Sequence, residues 1–119
     1  IDHRAAMDAL GRVVDNAMDA LEGVPDPNIY VVGVLEKSRM ILRIRDNGPG
    51  ISPEIRSSLF LPFVTTRFDR IGFGLSIARK LMTQMGGDIS IDSTLSGGTS
   101  VTLDFPVEET SGVQYAETF

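Results

Sequence analysis

The chain has 119 residues, 42% of them hydrophobic, 23% charged and none cysteine, which suits one globular domain with a single core and excludes disulfides and thiolate metal sites. A net charge of −5 and a pI near 4.7 argue against nucleic acid as a main partner. An anionic ligand would need local cations or helix N-termini rather than a global field. No apolar run approaches the roughly 20 residues of a membrane span, and no signal peptide is visible at Ile1. The sequence opens inside a helical pattern and reads as a piece excised from something longer.

Residues Asp2 to Leu21 carry Ala6, Leu10, Val13, Val14, Ala17 and Leu21 at helical spacing, which predicts an amphipathic helix. Arg12, Asn16 and Asp19 share its other side at i, i+4 and i+7. This row is either a solvated polar face or a place where the Asn16 amide oxygen meets a hard cation such as Mg²⁺, which binds few protein groups and keeps waters and phosphates. Gly23 to Asn28 breaks the helix with glycine and two prolines. Ile29 to Leu35 is apolar and β-branched, a buried strand by composition. Glu36-Lys37-Ser38 is a short polar link into a second strand, Arg39 to Asp46, and the pair reads as an antiparallel hairpin.

In that second strand Met40, Leu42 and Ile44 alternate with Ile41, Arg43 and Arg45. Asp46 has the parity of the apolar three, so a carboxylate is aimed at an apolar face, which is costly unless something pairs with it. Asn47-Gly48-Pro49-Gly50 follows at once, where the backbone turns sharply and can approach a ligand. One reading is simply a turn. The other puts Asp46 at the bottom of a pocket, accepting a hydrogen bond from an exchangeable amino group; adenine is a good candidate.

Ser52-Pro53-Glu54 is a helix start, and the helix is expected to end near Leu59. Phe60-Leu61-Pro62-Phe63 is apolar and stiffened by proline, and Val64 to Ile71 reads as a loop suited to be a lid. Gly72-Phe73-Gly74-Leu75 opens a second long helix with the apolar stripe Leu75, Ala78, Leu81, Met82 and Met85, ended by Gly86-Gly87. A helix start flanked by glycine is a standard place for phosphate. Asp88 to Thr94 and Ser100 to Phe105 alternate around Ser96-Gly97-Gly98, a second hairpin with Ile89, Ile91, Val101, Leu103 and Phe105 inward. Residues 1–106 are expected to form the domain and 107–119, acidic and without period, a loose tail. Hairpins with helices on one face give an α+β fold, a two-layer α/β sandwich with a mixed, largely antiparallel sheet. No strand runs straight into the glycines of 72–74, so they are not a dinucleotide fingerprint, and there is no Gly-Lys-Ser/Thr phosphate loop.

Five short runs, in order, resemble one family. Asp15-Asn16-Ala17-Met18-Asp19-Ala20 is similar to the N box of the ATPase superfamily that joins gyrase, Hsp90, histidine kinases and MutL. Asp46-Asn47-Gly48-Pro49-Gly50-Ile51 resembles its G1 box, Phe60-Leu61-Pro62-Phe63 its F box, Gly72-Phe73-Gly74-Leu75 its G2 box and Gly97-Gly98-Thr99 its last glycine motif. Phe-Leu-Pro-Phe-Val-Thr-Thr-Arg followed by Gly-Phe-Gly-Leu-Ser-Ile-Ala-Arg looks most like the catalytic, ATP-binding domain of a sensor histidine kinase. The run Leu10 to Ala17 resembles the citrate and dicarboxylate sensor branch.

The resemblance implies a Bergerat-type fold, Mg²⁺ with ATP or ADP as ligands, and these roles. Asp46 accepts from the adenine amino group, Asn16 holds Mg²⁺ on the phosphates, and Gly48 and Gly50 let the base in. Gly72 and Gly74 offer backbone N–H groups and hinge the lid, Thr99 lies near the base, and Thr65, Thr66 and Arg67 belong to the lid. Ile51, Phe63, Phe73 and Leu75 complete the nucleotide-binding set. Where the family has Asn or Glu four residues before the metal asparagine, this chain has Arg12. Arg12 cannot activate water as a carboxylate would, so ATP hydrolysis should be poor; it would either contact phosphate or repel the metal. The lid carries Arg70 where related kinases often have a further glycine.

The implied partners are a histidine-bearing dimerisation domain of the same kinase and, downstream, a response regulator. The only histidine here is His3, so the isolated chain, expected to be a monomer, should not phosphorylate itself. The implied setting is cytoplasmic, with a parent that is a membrane-anchored sensor in many such kinases. Two other readings share the fold: an anti-sigma-type serine kinase, and a nucleotide-sensing interaction module that does no chemistry.

Overall fold

A computed structural model of the chain describes residues 3–50, 69–94, 97–107 and 114–118. Helix α1 (His3–Ala20) leads into strands β1 (Ile29–Glu36) and β2 (Arg39–Asp46). Helix α2 (Asp69–Gln84), β3 (Asp88–Thr94), β4 (Gly98–Pro106) and β5 (Gln114–Thr118) follow. The strands form one sheet in the order β3-β4-β2-β1-β5, and its four pairings are all antiparallel. The expected two-layer α+β sandwich is what forms, with an antiparallel rather than mixed sheet among the described residues.

Both helices lie on one face of that sheet and on each other. α1 buries Ala9, Val13 and Ala17, with Leu21 in the turn after it; α2 buries Leu75, Ala78 and Met82; the sheet supplies Ile29, Ile44, Ile89, Val101, Leu103 and Phe105. These are the inward sets of the period-two and period-3.6 patterns, and burying them removes enough apolar surface to drive collapse. Ile44, Leu75, Met82, Leu103 and Val13 are the largest fully buried side chains, so the core is centred where α1 and α2 meet β2 and β4.

Four expectations are corrected. Strand β1 is not buried on both sides: Ile29 is buried and Tyr30 exposed, because helices cover only one face. The link between β1 and β2 has two residues, since Glu36 pairs with Arg39, and Lys37 takes φ 53° to close it. Helix α2 begins at Asp69 rather than Gly72, so the last residues assigned to a lid are helical. Part of the expected loose tail is a strand: Gln114–Thr118 pairs with β1 from Tyr30↔Thr118 to Val34↔Gln114. An edge strand takes its backbone partners from the sheet, so an acidic segment without apolar period can still be ordered there. The short helix expected from Ser52 and the Phe60–Phe63 run lie outside the described residues.

The uncovered face carries the opposite parity: Tyr30, Val32 and Val34 on β1; Arg39, Ile41, Arg43 and Arg45 on β2; Ser100, Thr102 and Asp104 on β4. Nε of Arg39 donates to Oδ1 of Asp104 at 2.7 Å. No helix among the described residues is long and apolar enough to cross a membrane.

Candidate nucleotide site

Asp46 is the last residue of β2 and lies opposite Ile29 on β1 and Thr99 on β4. Its parity directs the carboxylate to the helical side, where the residue is 4% exposed. Oδ1 accepts from the Gly48 N–H at 2.9 Å, and the Thr99 backbone N–H also donates to the carboxylate. Burial holds the carboxyl above its ordinary range, and the two backbone donors pull the other way without cancelling it. The side chain is thus a buried acceptor held by two backbone donors at the end of β2.

Two glycines make this placement possible. A Cβ on Gly48 would sit 3.0 Å from both the Ala20 carbonyl oxygen and Oδ1 of Asp46. A Cβ on Gly98, whose φ is 82°, would lie 2.1 Å from the Asp46 carbonyl oxygen. The turn after β2 therefore presses against the end of α1, and β4 starts directly against Asp46.

Asn16 is on the same helix as Ala20, one turn earlier, about 6 Å along the axis. It is 9% exposed, and its Oδ1 is buried with no hydrogen-bond partner among the described residues. An unpaired buried amide oxygen carries a desolvation cost, and a hard cation relieves it. Among the described residues no three His, Cys, Asp or Glu side chains stand together. A divalent ion here would rely on Asn16 with waters and ligand oxygens, the habit of Mg²⁺ rather than of Zn²⁺ or Ca²⁺. Nε of Arg12 donates to Oδ1 of Asp8 at 2.9 Å, both half-exposed, so its charge is partnered within the helix.

The other residues named from the sequence fall as follows. Thr99 is buried beside Asp46. Gly50 ends the described turn with φ 80°. Gly72, Phe73 and Gly74 lie three to five residues into α2, which starts at Asp69, so the leading N–H groups without a helical partner belong to the residues before them rather than to the two glycines expected to offer them. Leu75 is fully buried and belongs to the core. Ile51, Phe63, Thr65, Thr66 and Arg67 lie outside the described residues.

Sequence reasoning missed Asn47. Its Oδ1 accepts from the Asn28 N–H at 2.8 Å, and its Nδ2 donates to the Asp26 carbonyl at 2.9 Å. Asn28 Nδ2 reaches the same carbonyl at 3.0 Å, and Asp26 takes φ 49° to present it. The loop after α1 is tied in this way to the turn after β2. Asn and Asp are frequent in turns for local reasons, so nothing in the sequence marked these three as one network.

A buried carboxylate at the end of β2, a glycine turn packed on the end of α1 and a buried amide oxygen one helical turn further back form the candidate site of this two-layer sandwich. The chain belongs to the histidine kinase-, DNA gyrase B- and HSP90-like ATPase family, whose model matches residues 1–109. It is 36% identical over 107 residues to sporulation kinase D of Bacillus subtilis, covering 87% of this chain and 21% of that one. It is also 36% identical over 87 residues to the C4-dicarboxylate transport sensor protein DctB of Rhizobium meliloti, covering 73% of this chain and 14% of that one. Equal identity to both does not single out the dicarboxylate branch. The chain spans about a fifth or less of the length of these relatives. Among solved structures, the mycobacterial sensor histidine kinase MprB superposes with a TM-score of 0.78 at 25% identity, over 92% of this chain and 75% of that one.

Proposed function

We propose that this chain is the catalytic, ATP-binding domain of a sensor histidine kinase in two-component signalling. It binds Mg-ATP and donates the γ-phosphoryl group to a histidine on a dimerisation domain outside this chain, with a response regulator as the next acceptor. The observation that carries the reading is a pair of buried acceptors on neighbouring elements: Asp46, fixed by two backbone N–H groups, and Asn16, whose Oδ1 has no partner among the described residues, with Gly48 after the first packed against Ala20, one turn beyond the second.

Asp46 recognises the adenine amino group: it is an acceptor fixed by the Gly48 and Thr99 N–H groups. Thr99, directly opposite, lines the base position. Asn16 Oδ1 would hold Mg²⁺, which neutralises phosphate charge as the γ-phosphoryl leaves. The first turns of α2 offer unpartnered N–H groups toward the phosphates. In the transfer the bond between the γ-phosphorus and the bridging oxygen breaks, a P–N bond to the acceptor imidazole forms, and ADP departs. The protein contributes positioning and charge stabilisation rather than covalent chemistry.

The residue four before Asn16 is Arg12, and Asp8 neutralises it. A guanidinium is no general base, so water is not activated at this position and the γ-phosphate is kept for the protein acceptor. Dependence on ATP puts the domain in the cytoplasm, joined in its parent to a sensor that many such kinases hold at a membrane.

Calorimetric titration of ATP into the chain, with and without Mg²⁺, tests the binding half. Binding that tightens with Mg²⁺ is expected; no binding in either condition would end the assignment. Incubation with labelled ATP and a separately made histidine-bearing dimerisation domain of the same kinase tests transfer. Acid-labile label on that domain is the expected product, and label on a serine would redirect the reading to a serine kinase.

A further inference from the structure

The sheet face opposite the described helices carries a row of arginines on β2. Its two halves differ. In the half toward the β1–β2 turn, Arg39 is bridged to Asp104 at 2.7 Å, and Ile41 and Val34 face each other beside it. In the other half, Arg43 and Arg45 project from the same face two residues apart, about 7 Å along the strand. Neither has an ion pair or hydrogen-bond partner among the described residues.

Their cross-strand neighbours are not acids. Arg43 lies between Val32 and Thr102, and Arg45 between Tyr30 and Ser100. In register, the described carboxylate on that row is Asp92, across from Ser100 and so two strands from Arg45, about 10 Å away. Asp46 has the opposite parity and is buried on the helical side. The diagonal neighbour of Arg43 is Asp104, which is engaged by Arg39, so among the described residues the two adjacent like charges repel without a carboxylate bridging them, in a chain that has 16 acidic residues to 11 Lys and Arg.

A concavity of about 530 Å³ opens at this spot, lined by Tyr30, Val32, Arg43, Arg45, Asp46, Asn47, Gly97 and Ser100; the Asp46 carboxylate is tied to the Gly48 N–H. Its volume is in the range of small-molecule sites. The lining is divided by chemistry. Arg43, Arg45 and Ser100 offer donors, and guanidinium forks match the oxygens of a phosphate. Val32 and the Tyr30 ring, 46% exposed, offer an apolar wall.

We infer that this concavity binds a small phosphate monoester carrying a flat or apolar group, its dianion held between Arg43 and Arg45 and its apolar part against Tyr30 and Val32. The site opens on the face of the sheet opposite the nucleotide. Asp46 and Asn47 reach both regions, because β2 ends between them. Occupancy here is independent of the kinase assignment.

Phenyl phosphate is the probe, titrated into the ¹⁵N-labelled full chain and followed by residue-resolved amide shifts. Saturable shifts centred on Tyr30, Arg43, Arg45 and Ser100 are expected. Arg43→Gln and Arg45→Gln should each weaken binding by about tenfold, and Tyr30→Ala should weaken phenyl phosphate while leaving inorganic phosphate unchanged. Arg39→Gln, whose arginine is occupied by Asp104, should leave the affinity within about twofold. Shifts spread evenly over surface Arg and Lys residues, shifts centred on Gly48 and Thr99 instead, or affinities unmoved by both arginine substitutions would each overturn the proposal. Equal affinity for inorganic phosphate and phenyl phosphate would remove the apolar wall from it.

Discussion

The side-chain oxygen of Asn47 lies 2.8 Å from the backbone nitrogen of Asn28, 19 residues earlier. With the bond from Asn47 Nδ2 to the Asp26 carbonyl, it joins the segment that follows Asn16 to the turn that follows Asp46. One side chain thereby ties the loop after α1 to the turn that follows Asp46 in the candidate site.

Asn47→Ala is expected to destabilise the chain by about 1–2 kcal/mol, the net worth of two such hydrogen bonds. Urea unfolding should show a lower midpoint with an unchanged slope. Nucleotide affinity should fall by more than the population of unfolded chain explains, since the Gly48 turn loses its anchor. Asn47→Asp keeps the acceptor for Asn28 and loses the donor to Asp26, so it should lie between wild type and alanine. An alanine variant that binds ATP as tightly as wild type would disprove the coupling.

Asp46→Asn separates stability from recognition. The folded carboxyl titrates above its ordinary value of 3.8 because burial disfavours the charge. Between that value and the higher folded one the native state holds more proton than the unfolded state, so stability falls as pH rises through the window. The contribution is fully present below 3.8 and is lost as pH rises through the folded value. The asparagine variant, which keeps an oxygen for the Gly48 N–H, should then melt higher than wild type at pH 7, and the gap should shrink below pH 4. Its ATP affinity at pH 7 should drop by about tenfold or more, as for loss of a hydrogen bond to a charged acceptor. Melting curves at several pH values, with calorimetry, decide it; equal melting temperatures at every pH would refute the account.

Asn16→Ala removes a buried oxygen that has no hydrogen-bond partner among the described residues. Loss of an unsatisfied acceptor offsets the small cavity created, so the change in stability should stay within about 1 kcal/mol. The Mg²⁺-dependent part of ATP binding should vanish while Mg²⁺-free binding persists. If Mg²⁺ still tightens binding in the variant, the metal is held elsewhere.

Gly98→Ala places a methyl 2.1 Å from the Asp46 carbonyl oxygen on a backbone at φ 82°. Both the contact and the dihedral oppose it, and a loss above about 2 kcal/mol is expected, with nucleotide binding lost alongside. Thermal unfolding checks the first and titration of any folded fraction the second. A variant of native stability would mean that β4 can shift away from Asp46 at no cost.

The parity of β2 already aimed Asp46 inward, and the structure places it there beside Ile44. Of the helical stripes read from the sequence, Val13, Ala17, Leu21, Leu75, Ala78 and Met82 are buried and Ala6, Leu10, Val14, Leu81 and Met85 pack partly buried against them, while the fully buried Ala9 was missed. The parity and the stripes were legible because one alternation or one spacing determines them. What could not be read depends on distant partners. Strand β5 is held by backbone bonds to β1, which leave no mark on its side-chain pattern. The buried state of Leu75 follows from α2 packing on α1 and the sheet, while its motif suggested a ligand contact. The bonds from Asn47 to Asn28 and Asp26 join residues that each look like ordinary turn formers.

The strand order β3-β4-β2-β1-β5 also governs when and how the site comes into being. Asp46 meets Thr99 only through the β2–β4 pairing, which closes a long loop containing all of α2 and so belongs to the slow, non-local part of folding. The same pairing sits mid-sheet, where exchange of amide hydrogens requires opening close to the global unfolding event. Detachment of β5 from the β1 edge leaves that pairing untouched. The molecule can fray at its C-terminal strand and keep an intact pocket, whereas losing the pocket means losing the fold.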